Sequence, residues 1–252
     1  MVAWIQHYSD NNDQLVNNWD SDTIQSDLAA TPPLYRSWVV DVMNWNADAQ
    51  VFDLTGITAA PLYKYAGGTG VYKCPADNYL SPVQRIYVGQ LQSQGGKYST
   101  TGRSRSYSMN CFFGPSTPTW MQNTWPDRNE FFPSYRQFLK STVIGNPAQL
   151  YVTLDEHPDN INDGYLKDGA NPDYTSGSDW PSGVWGDLPG SYHAGGCGFS
   201  YSDGHAEVHK WLSRKCTILP VTFGPVPHVA ISSDPNAIQD IAWFAPHASV
   251  AR

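Results

Sequence analysis

The chain opens with apolar residues at helical spacing. Val2, Ile5 and Tyr8 recur every three residues and would share one face of an α-helix within MVAWIQHYSDNND. The segment SDNNDQLVNNWDSD, which overlaps its end, is typical of turns and loops. No capping residue precedes the helical pattern. We therefore expect the helix to be the later part of a longer one that begins upstream of this sequence.

Four stretches have the spacing of β-strands. Residues 36–43 form a β-branched apolar run, and residues 103–114 alternate between apolar and polar positions. Residues 148–157, AQLYVTLDEH, give the strongest strand pattern in the chain. Residues 196–212 contain two alternating runs joined by an Asp-Gly pair, the strongest short signal for a hairpin turn.

Further helices are predicted over residues 57–67, ended by Gly67-Gly68, over residues 135–144, and over residues 234–248. In the last of these, Asp234 would cap the helix and Pro235 would take its first position. Three intervals without a clear period predict long loops: residues 79–103, 115–133 and 165–190. We predict one α+β domain over residues 1–252, with the N-terminal helix packed on an antiparallel sheet.

Composition narrows the choice of partners. The net charge is −8 and only 15% of the residues are charged. Nucleic acids and anionic lipids select for basic patches, so we expect neither as a partner. No run of 18 apolar residues occurs. The low charge, together with many Asn, Ser, Thr and aromatic residues, is typical of extracytoplasmic proteins.

Cysteine spacing argues against a zinc ribbon, since the four cysteines form no Cys-x-x-Cys pair. Two disulfides are expected if the protein is exported, and four buried thiols if it is not. Cys197 and Cys216 flank the predicted hairpin, while Cys74 follows a helix and Cys111 lies on a strand. We predict the bridges 197–216 and 74–111, although four cysteines allow three pairings.

One motif and several flanking segments carry a resemblance. His193 is followed after nine residues by Asp203-Gly204, and the segments PLYKYAGGTGVYKCPAD, RSYSMN, LDEHPDNINDGY and DIAWFAPHAS accompany this spacing. Together they resemble bacterial pseudopilin-like proteins with the prepilin-type processing-associated motif, His, nine residues, Asp-Gly. The family's prepilin cleavage site and apolar half-helix are not in this sequence. Residues 79–103 and 115–135 have no counterpart in the resemblance.

The resemblance implies a cellular location and a class of protein partners. It implies an exported protein of a type II secretion or type IV pilin-like apparatus, in the periplasm or at the cell surface. The full-length protein would be anchored in the membrane before assembly. It would contact other pilin-like subunits through the upstream part of its N-terminal helix.

The hairpin after the Asp-Gly pair offers a metal-binding pattern. His205, Glu207 and His209 alternate along one strand and project from the same face, with Asp203 beside the turn. Two histidines and a carboxylate are ligands for zinc or another divalent ion. Side chains two apart on a strand are about 7 Å from each other, which is wide for one ion. The alternative, in which Asp203 and Gly204 only form the turn, is therefore preferred.

A second candidate cation site lies in DEHPDNINDG, residues 155–164, where carboxylates are dense. Oxygen ligands in a loop favour calcium, although the spacing does not fit an EF-hand. In the alternative interpretation these side chains cap backbone amides. The proposed ligands to calcium or another divalent cation are Asp155, Asp159, Asp163, Asp203 and His205.

A catalytic hypothesis combines these segments. Asp155 and Glu156 end a predicted central strand, and His193 precedes the neighbouring hairpin. Paired carboxylates beside aromatic side chains suit glycoside hydrolysis, because sugars stack on aromatic faces. The aromatic residues expected to contact a glycan are Trp180, Trp185, Tyr192 and Tyr201. No Gly-x-Ser-x-Gly, His-Glu-x-x-His or phosphate-binding loop occurs.

These observations leave three functional hypotheses. The preferred one is a non-enzymatic, pseudopilin-like structural or binding subunit. The alternatives are a surface-displayed carbohydrate-active protein on a pilin-like scaffold and a metal-dependent adhesive module. Within the motif, we predict structural tasks: Asp203 fixes the turn, and His193 bonds the acidic segment or the hairpin backbone.

Overall fold

The computed structural model describes residues 1–94, 96–99, 101–117, 127–170 and 183–252. Within these residues the fold is α+β. It has six α-helices: α1 (Val2–Asp10), α2 (Ser21–Ala29), α3 (Thr55–Thr58), α4 (Tyr63–Ala66), α5 (Pro82–Gln92) and α6 (Pro235–Phe244). It has five strands: β1 (Tyr107–Asn110), β2 (Tyr151–Asp155), β3 (Tyr165–Leu166), β4 (Gly196–Tyr201) and β5 (Ala206–Lys210). None of the described helices is long and apolar enough to cross a membrane.

The strands form one mixed sheet in the order β3-β1-β2-β4-β5. Antiparallel pairing joins β1 to β2, β2 to β4 and β4 to β5. The short strand β3 runs parallel to β1 at the edge. The prediction of a purely antiparallel sheet is therefore wrong at this edge. The predicted hairpin is confirmed, and Gly204 has the positive φ of 100° that its turn requires.

Helix α6 covers one face of the sheet. Asp234 caps it by accepting a hydrogen bond from the Asn236 amide, as the Asp-Pro signal predicts. Ala237, Ile241 and Phe244 recur at i, i+4 and i+7 and are all fully buried. Burying a large apolar side chain, such as that of Ile241 or Phe244, stabilises the fold by about 1.5–3 kcal/mol.

Helix α1 packs against the core and against α4. Trp4 is buried, and its ring centroid lies 6.0 Å from that of Phe113. At the exposed end of α1, the Tyr65 hydroxyl donates to Asp10 at 2.8 Å. These contacts give α1 a fixed orientation relative to the sheet.

Two buried ion pairs hold loops against the start of β1. Arg105 Nε donates to Asp41 at 3.0 Å, and Arg103 pairs with Asp77 at 2.8 Å. All four side chains are almost fully buried. Because a buried charge without a partner is strongly destabilising, these pairs fix the segments that carry the two aspartates. Asp77 lies three residues after Cys74, so the second pair positions the Cys74 loop.

Residues 37–41 and 43 are buried, but the segment 36–43 does not form the predicted strand. Their amides bond to carbonyls of separate segments, for example Trp38 N to Asn17 O in a loop and Val40 N to Gly56 O in α3. The apolar run therefore reflects burial, which periodicity alone does not distinguish from strand pairing.

Residues 135–144 are not a helix, as was predicted, but an extended segment ending in a 3-10 turn at Ser141–Val143. Phe138 bonds through its amide to Phe112 O, and the Arg136 amide bonds to Val250 O. Long-range backbone partners thus replace the local bonds that a helix would make.

The predicted loop over residues 79–103 contains α5. Ser81 and Gln84 form a reciprocal capping box, and Pro82 occupies the first turn. These are ordinary start signals that the prediction overlooked. Helix α2, capped by Asp20, also lies where turn and loop were expected at its first residues.

The predicted helix over residues 57–67 is divided into α3 and α4, with Pro61 between them. Proline removes a backbone donor and interrupts an α-helix. Gly67, with φ 73°, ends α4 as its position predicts.

Candidate functional site

Strand β2 delivers the central carboxylate of the candidate site. Consecutive side chains on a strand point to opposite faces, so Asp155 and Glu156 diverge at the end of β2. Asp155 pairs across the ladder with Tyr107 and points toward an open groove. Glu156 points to the other side, where Ser108 Oγ donates to it.

Asp155 is buried, with a side-chain exposure of 1%. Its Oδ2 accepts a hydrogen bond from the Gly198 amide at 2.8 Å and lies 3.1 Å from His193 Nε2. Its Oδ1 has no hydrogen-bond partner among the described residues. Burial raises the pKa of Asp155, while the Gly198 amide and His193 act in the opposite direction.

His193 reaches this carboxylate from the loop before β4. The loop is closed by hydrogen bonds from His193 N to Gly196 O and from Gly195 N to Ser191 O. Lys210 Nζ on β5 donates to the His193 carbonyl. The His193 side chain is 36% exposed, so it connects buried Asp155 with solvent.

Cys74 is the third member of the cluster. Its amide donates to Ser106 Oγ at 2.6 Å, and its Sγ accepts from the Ala76 amide at 3.4 Å. Its Sγ lies 3.7 Å from His193 Nε2. Burial raises the pKa of the Cys74 thiol, and the negative charge of Asp155 raises it further.

Cys74, Asp155 and His193 each offer one ligand atom, and these atoms lie within 4.8 Å of one another. They are the one group of three potential metal ligands found in the described part of the chain. Asp155 and His193 line a groove of about 520 Å³ at the hairpin side of the sheet. Other polar groups along the groove are Tyr107, Thr153, Ser200 and Glu207.

The cluster does not have the geometry of a cysteine nucleophile with a histidine base. In such a relay, one ring nitrogen of the histidine faces the nucleophile and the other is held by the acid. Here both Cys74 Sγ and Asp155 Oδ2 lie nearest to the same atom, His193 Nε2. Three donor atoms that converge in this way suit a shared proton or a shared cation.

The predicted catalytic pair is wrong, because Asp155 and Glu156 do not face one groove. Glu156 is buried on the other side of the strand, and burial raises its pKa well above the ordinary value. Asp155 alone of the two lines the groove, where it meets the third predicted catalytic residue, His193. Alternation along the strand explains the separation.

The predicted aromatic platform is wrong for two of its residues. Trp185 and Tyr201 are core side chains that are 4% and 1% exposed. Tyr192 is half-buried and donates its hydroxyl to Glu156 O. Trp180 lies outside the described residues. Trp185 and Tyr201 therefore pack in the core, although they were expected to bind sugar.

The five predicted calcium ligands do not converge on one point. The carboxylates among them accept hydrogen bonds from separate protein donors. Asp159 accepts from the amides of Thr222 and Phe223, and Asp163 accepts from the Tyr165 amide. The other predicted ligands form two separate His–Asp contacts: Asp155 with His193, and Asp203 with His205. Capping of backbone amides is therefore the observed task of Asp159 and Asp163.

The residues considered as zinc ligands at and after the hairpin turn are also engaged elsewhere. His205 stacks on Tyr201 with ring centroids 4.3 Å apart, and His209 stacks on Trp243 at 3.4 Å. Glu207 accepts from the Tyr201 hydroxyl at 2.6 Å. Burial lowers the pKa of His209 to about 4, so this histidine is neutral at physiological pH.

All four cysteines lie in the described part of the chain, and all four are free, buried thiols. Cys111 donates to Asp168 O, Cys197 to Asp155 O and Cys216 to Ala230 O. Each sulfur thus has its own backbone partner or, for Cys74, the His193 ring. The predicted bridges 197–216 and 74–111 are absent from this structure.

Sequence reasoning placed Asp155 and His193 among the site residues but assigned Cys74 only to a disulfide. Cys74 and His193 are 119 positions apart, so no local spacing reveals their contact. The contacts expected of His193 and Asp203 are present: His193 contacts the first residue of the acidic segment, and Asp203 accepts from the His205 amide in the turn.

Comparison of the chain with protein-family models, with curated proteins and with solved structures gave no match.

Proposed function

We propose that this chain is the globular domain of an exported, pilin-like structural subunit of a secretion or pilus-type apparatus, without catalysis of its own. The observation that carries the proposal is the contact between helix α1 and the turn of the motif hairpin. Subunits of such assemblies pack along their N-terminal helices, so the helix has to be held rigidly on the sheet.

Gly204 makes the approach to α1, and Asp203 lines a cleft beside it. An added Cβ at Gly204 would lie 3.4 Å from Ile5 Cδ1, so the glycine faces α1 closely. A cleft between α1 and the hairpin is lined by Trp4, Ile5, Tyr8 and Asp203. The Asp-Gly pair therefore reverses the strand at a point where the turn lies beside α1.

The other end of the motif supports the same interpretation. His193 closes the loop before β4 and contacts Asp155, so both ends of the nine-residue spacing make contacts that hold the hairpin in place. The nine residues between His193 and Asp203 are then strand β4 and the few residues that flank it. The carbohydrate alternative depends on the groove alone, since two of its proposed aromatic contacts lie in the core.

The proposal is tested by location and by contacts in the cells that produce the protein. We expect the full-length protein in the envelope and in sheared surface fractions, separate from a cytoplasmic marker. A photo-crosslinking amino acid at Val2 should capture a second pilin-like subunit. Ile86 on α5 is a matched control, because Ile86 is 70% exposed and Val2 is 69% exposed.

Two results would contradict the proposal. One is recovery of the protein only with the cytoplasmic marker. The other is equal crosslinking from positions 2 and 86, which would show that α1 has no preferred neighbour. Binding or cleavage of a glycan by the purified chain would instead favour the carbohydrate alternative.

A further inference from the structure

We propose that Cys74, Asp155 and His193 bind a divalent transition-metal ion, with zinc as the best-fitting ion, at the side of the groove. This site differs from both cation sites expected from the sequence. It does not depend on the proposed structural function.

The distances fit a single ion. With zinc about 2.0–2.1 Å from nitrogen and oxygen and about 2.3 Å from sulfur, tetrahedral ligands lie about 3.3 Å apart for N and O and about 3.6 Å apart for N and S. The observed separations from His193 Nε2 are 3.1 Å to Asp155 Oδ2 and 3.7 Å to Cys74 Sγ. The third separation, between Cys74 Sγ and the Asp155 oxygen, is within 4.8 Å, against about 3.6 Å in a tetrahedral site.

The donor set selects the ion. A thiolate, an imidazole and a carboxylate are ligands of zinc, whereas calcium and magnesium prefer oxygen alone. Three protein ligands leave a fourth position, as in zinc sites that bind water or a substrate. Because Asp155 and His193 line the groove, this position would open toward it.

The unpaired oxygen of Asp155 is an independent observation in favour of a ligand. Buried polar atoms normally have a hydrogen-bond partner, and Asp155 Oδ1 has none among the described residues. A cation beside the carboxylate would compensate for its burial. Binding would also displace the Cys74 proton to solvent, since the thiolate is the form that coordinates a metal.

Gly198 has no side chain, and this leaves room for the Asp155 carboxylate and the His193 ring. An added Cβ at this position would lie 2.9 Å from Asp155 Oδ2 and 3.7 Å from His193 Nε2. A larger residue would therefore push the carboxylate away from the Gly198 amide. Gly198→Ala is a variant that disturbs the site without removing any ligand.

The test measures metal binding to the purified chain under reducing conditions. Metal-free protein is titrated with zinc by calorimetry and with cobalt by absorption spectroscopy. We expect one ion per chain and a sulfur-to-cobalt charge-transfer band. Cys74→Ser should abolish the band, and His193→Gln should weaken zinc binding by more than about 100-fold, beyond the effect of losing an outer-shell contact.

His205→Gln is the matched control, because His205 is a second histidine beside an aspartate at the other end of the same hairpin arm. It should bind zinc as tightly as the unmodified chain. Circular dichroism should give the same spectrum for all variants, and of the two ligand substitutions His193→Gln is expected to disturb the fold less, because the His193 side chain is 36% exposed and Cys74 is buried. Absence of zinc binding by the folded chain, or binding unaffected by His193→Gln and Cys74→Ser, would overturn the proposal.

Discussion

Two histidine–aspartate pairs lie at opposite ends of strand β4, in opposite surroundings. His193 Nε2 is 3.1 Å from Asp155, whose side chain is 1% exposed. His205 Nδ1 is closer to its partner, 2.6 Å from Asp203, but both side chains are more than one-third exposed. The shorter contact is therefore the one in water.

The comparison shows that surroundings, more than distance, decide what such a pair does. Exposed ion pairs contribute little to stability, because water screens the charges. A buried carboxylate depends on its few protein partners, since losing one leaves a desolvated polar group. The pair with the buried carboxylate, Asp155–His193, is therefore the one suited to binding a cation, while the exposed pair, Asp203–His205, stabilises a turn.

The largest expected effect separates the two aspartates. Asp155→Ala should lower the free energy of unfolding by about 1–3 kcal/mol, because the Gly198 amide loses its acceptor. Asp203→Ala should cost clearly less, since water can replace the exposed carboxylate. Urea denaturation of both variants, with a chelator present, measures the difference. Equal losses would show that burial does not distinguish the pairs.

The sequence predicts some of the regular parts of this fold. The hairpin, β2, α6 and the stop at Gly67 all follow from short local signals: Asp-Gly, alternation, Asp-Pro and a glycine after a helix. Each of these signals acts within a few residues. Residues 36–43 and 135–144 were mispredicted because their backbone partners are distant in sequence.

The candidate site could be predicted only in part, for the same reason. Asp155 and His193 stand out in the sequence, at a strand end and at the start of a motif. Which residue completes the cluster depends on where the Cys74 loop is held, and the Arg103–Asp77 ion pair decides that. Burial of Trp185 likewise depends on how α6 packs, because its ring centroid lies 5.1 Å from that of Phe244, and composition does not reveal this contact.

A smaller effect concerns the turn that carries the exposed pair. Gly204→Ala should destabilise the fold by about 1 kcal/mol, because a side chain is strained at a φ of 100°. The added Cβ would lie in ordinary van der Waals contact with Ile5 of α1, 3.4 Å away, so the loss comes from the backbone. Thermal unfolding should therefore show a larger loss for Gly204→Ala than for His205→Ala. The reverse order would mean that the exposed ion pair, and not the backbone, holds the turn.

The smallest expected effect is a difference in the sign of pH dependence. Burial raises the pKa of Asp155 in the folded state, so its stabilising contribution is present in acid and declines as pH rises from its unfolded value through the folded one. The backbone amide and side chain of His205 lower the pKa of Asp203, so its contribution is present above the unfolded value and is lost in acid.

The measurement is the unfolding free energy of the unmodified chain, of Asp155→Asn and of Asp203→Asn between about pH 3 and pH 5.5. This range includes the ordinary aspartate pKa of about 3.9. With a chelator present, the stability advantage of the unmodified chain over Asp155→Asn should shrink as pH rises, and its advantage over Asp203→Asn should grow. Two slopes of the same sign would mean that Asp155 is as well solvated as Asp203, and the contrast between the two pairs would fail.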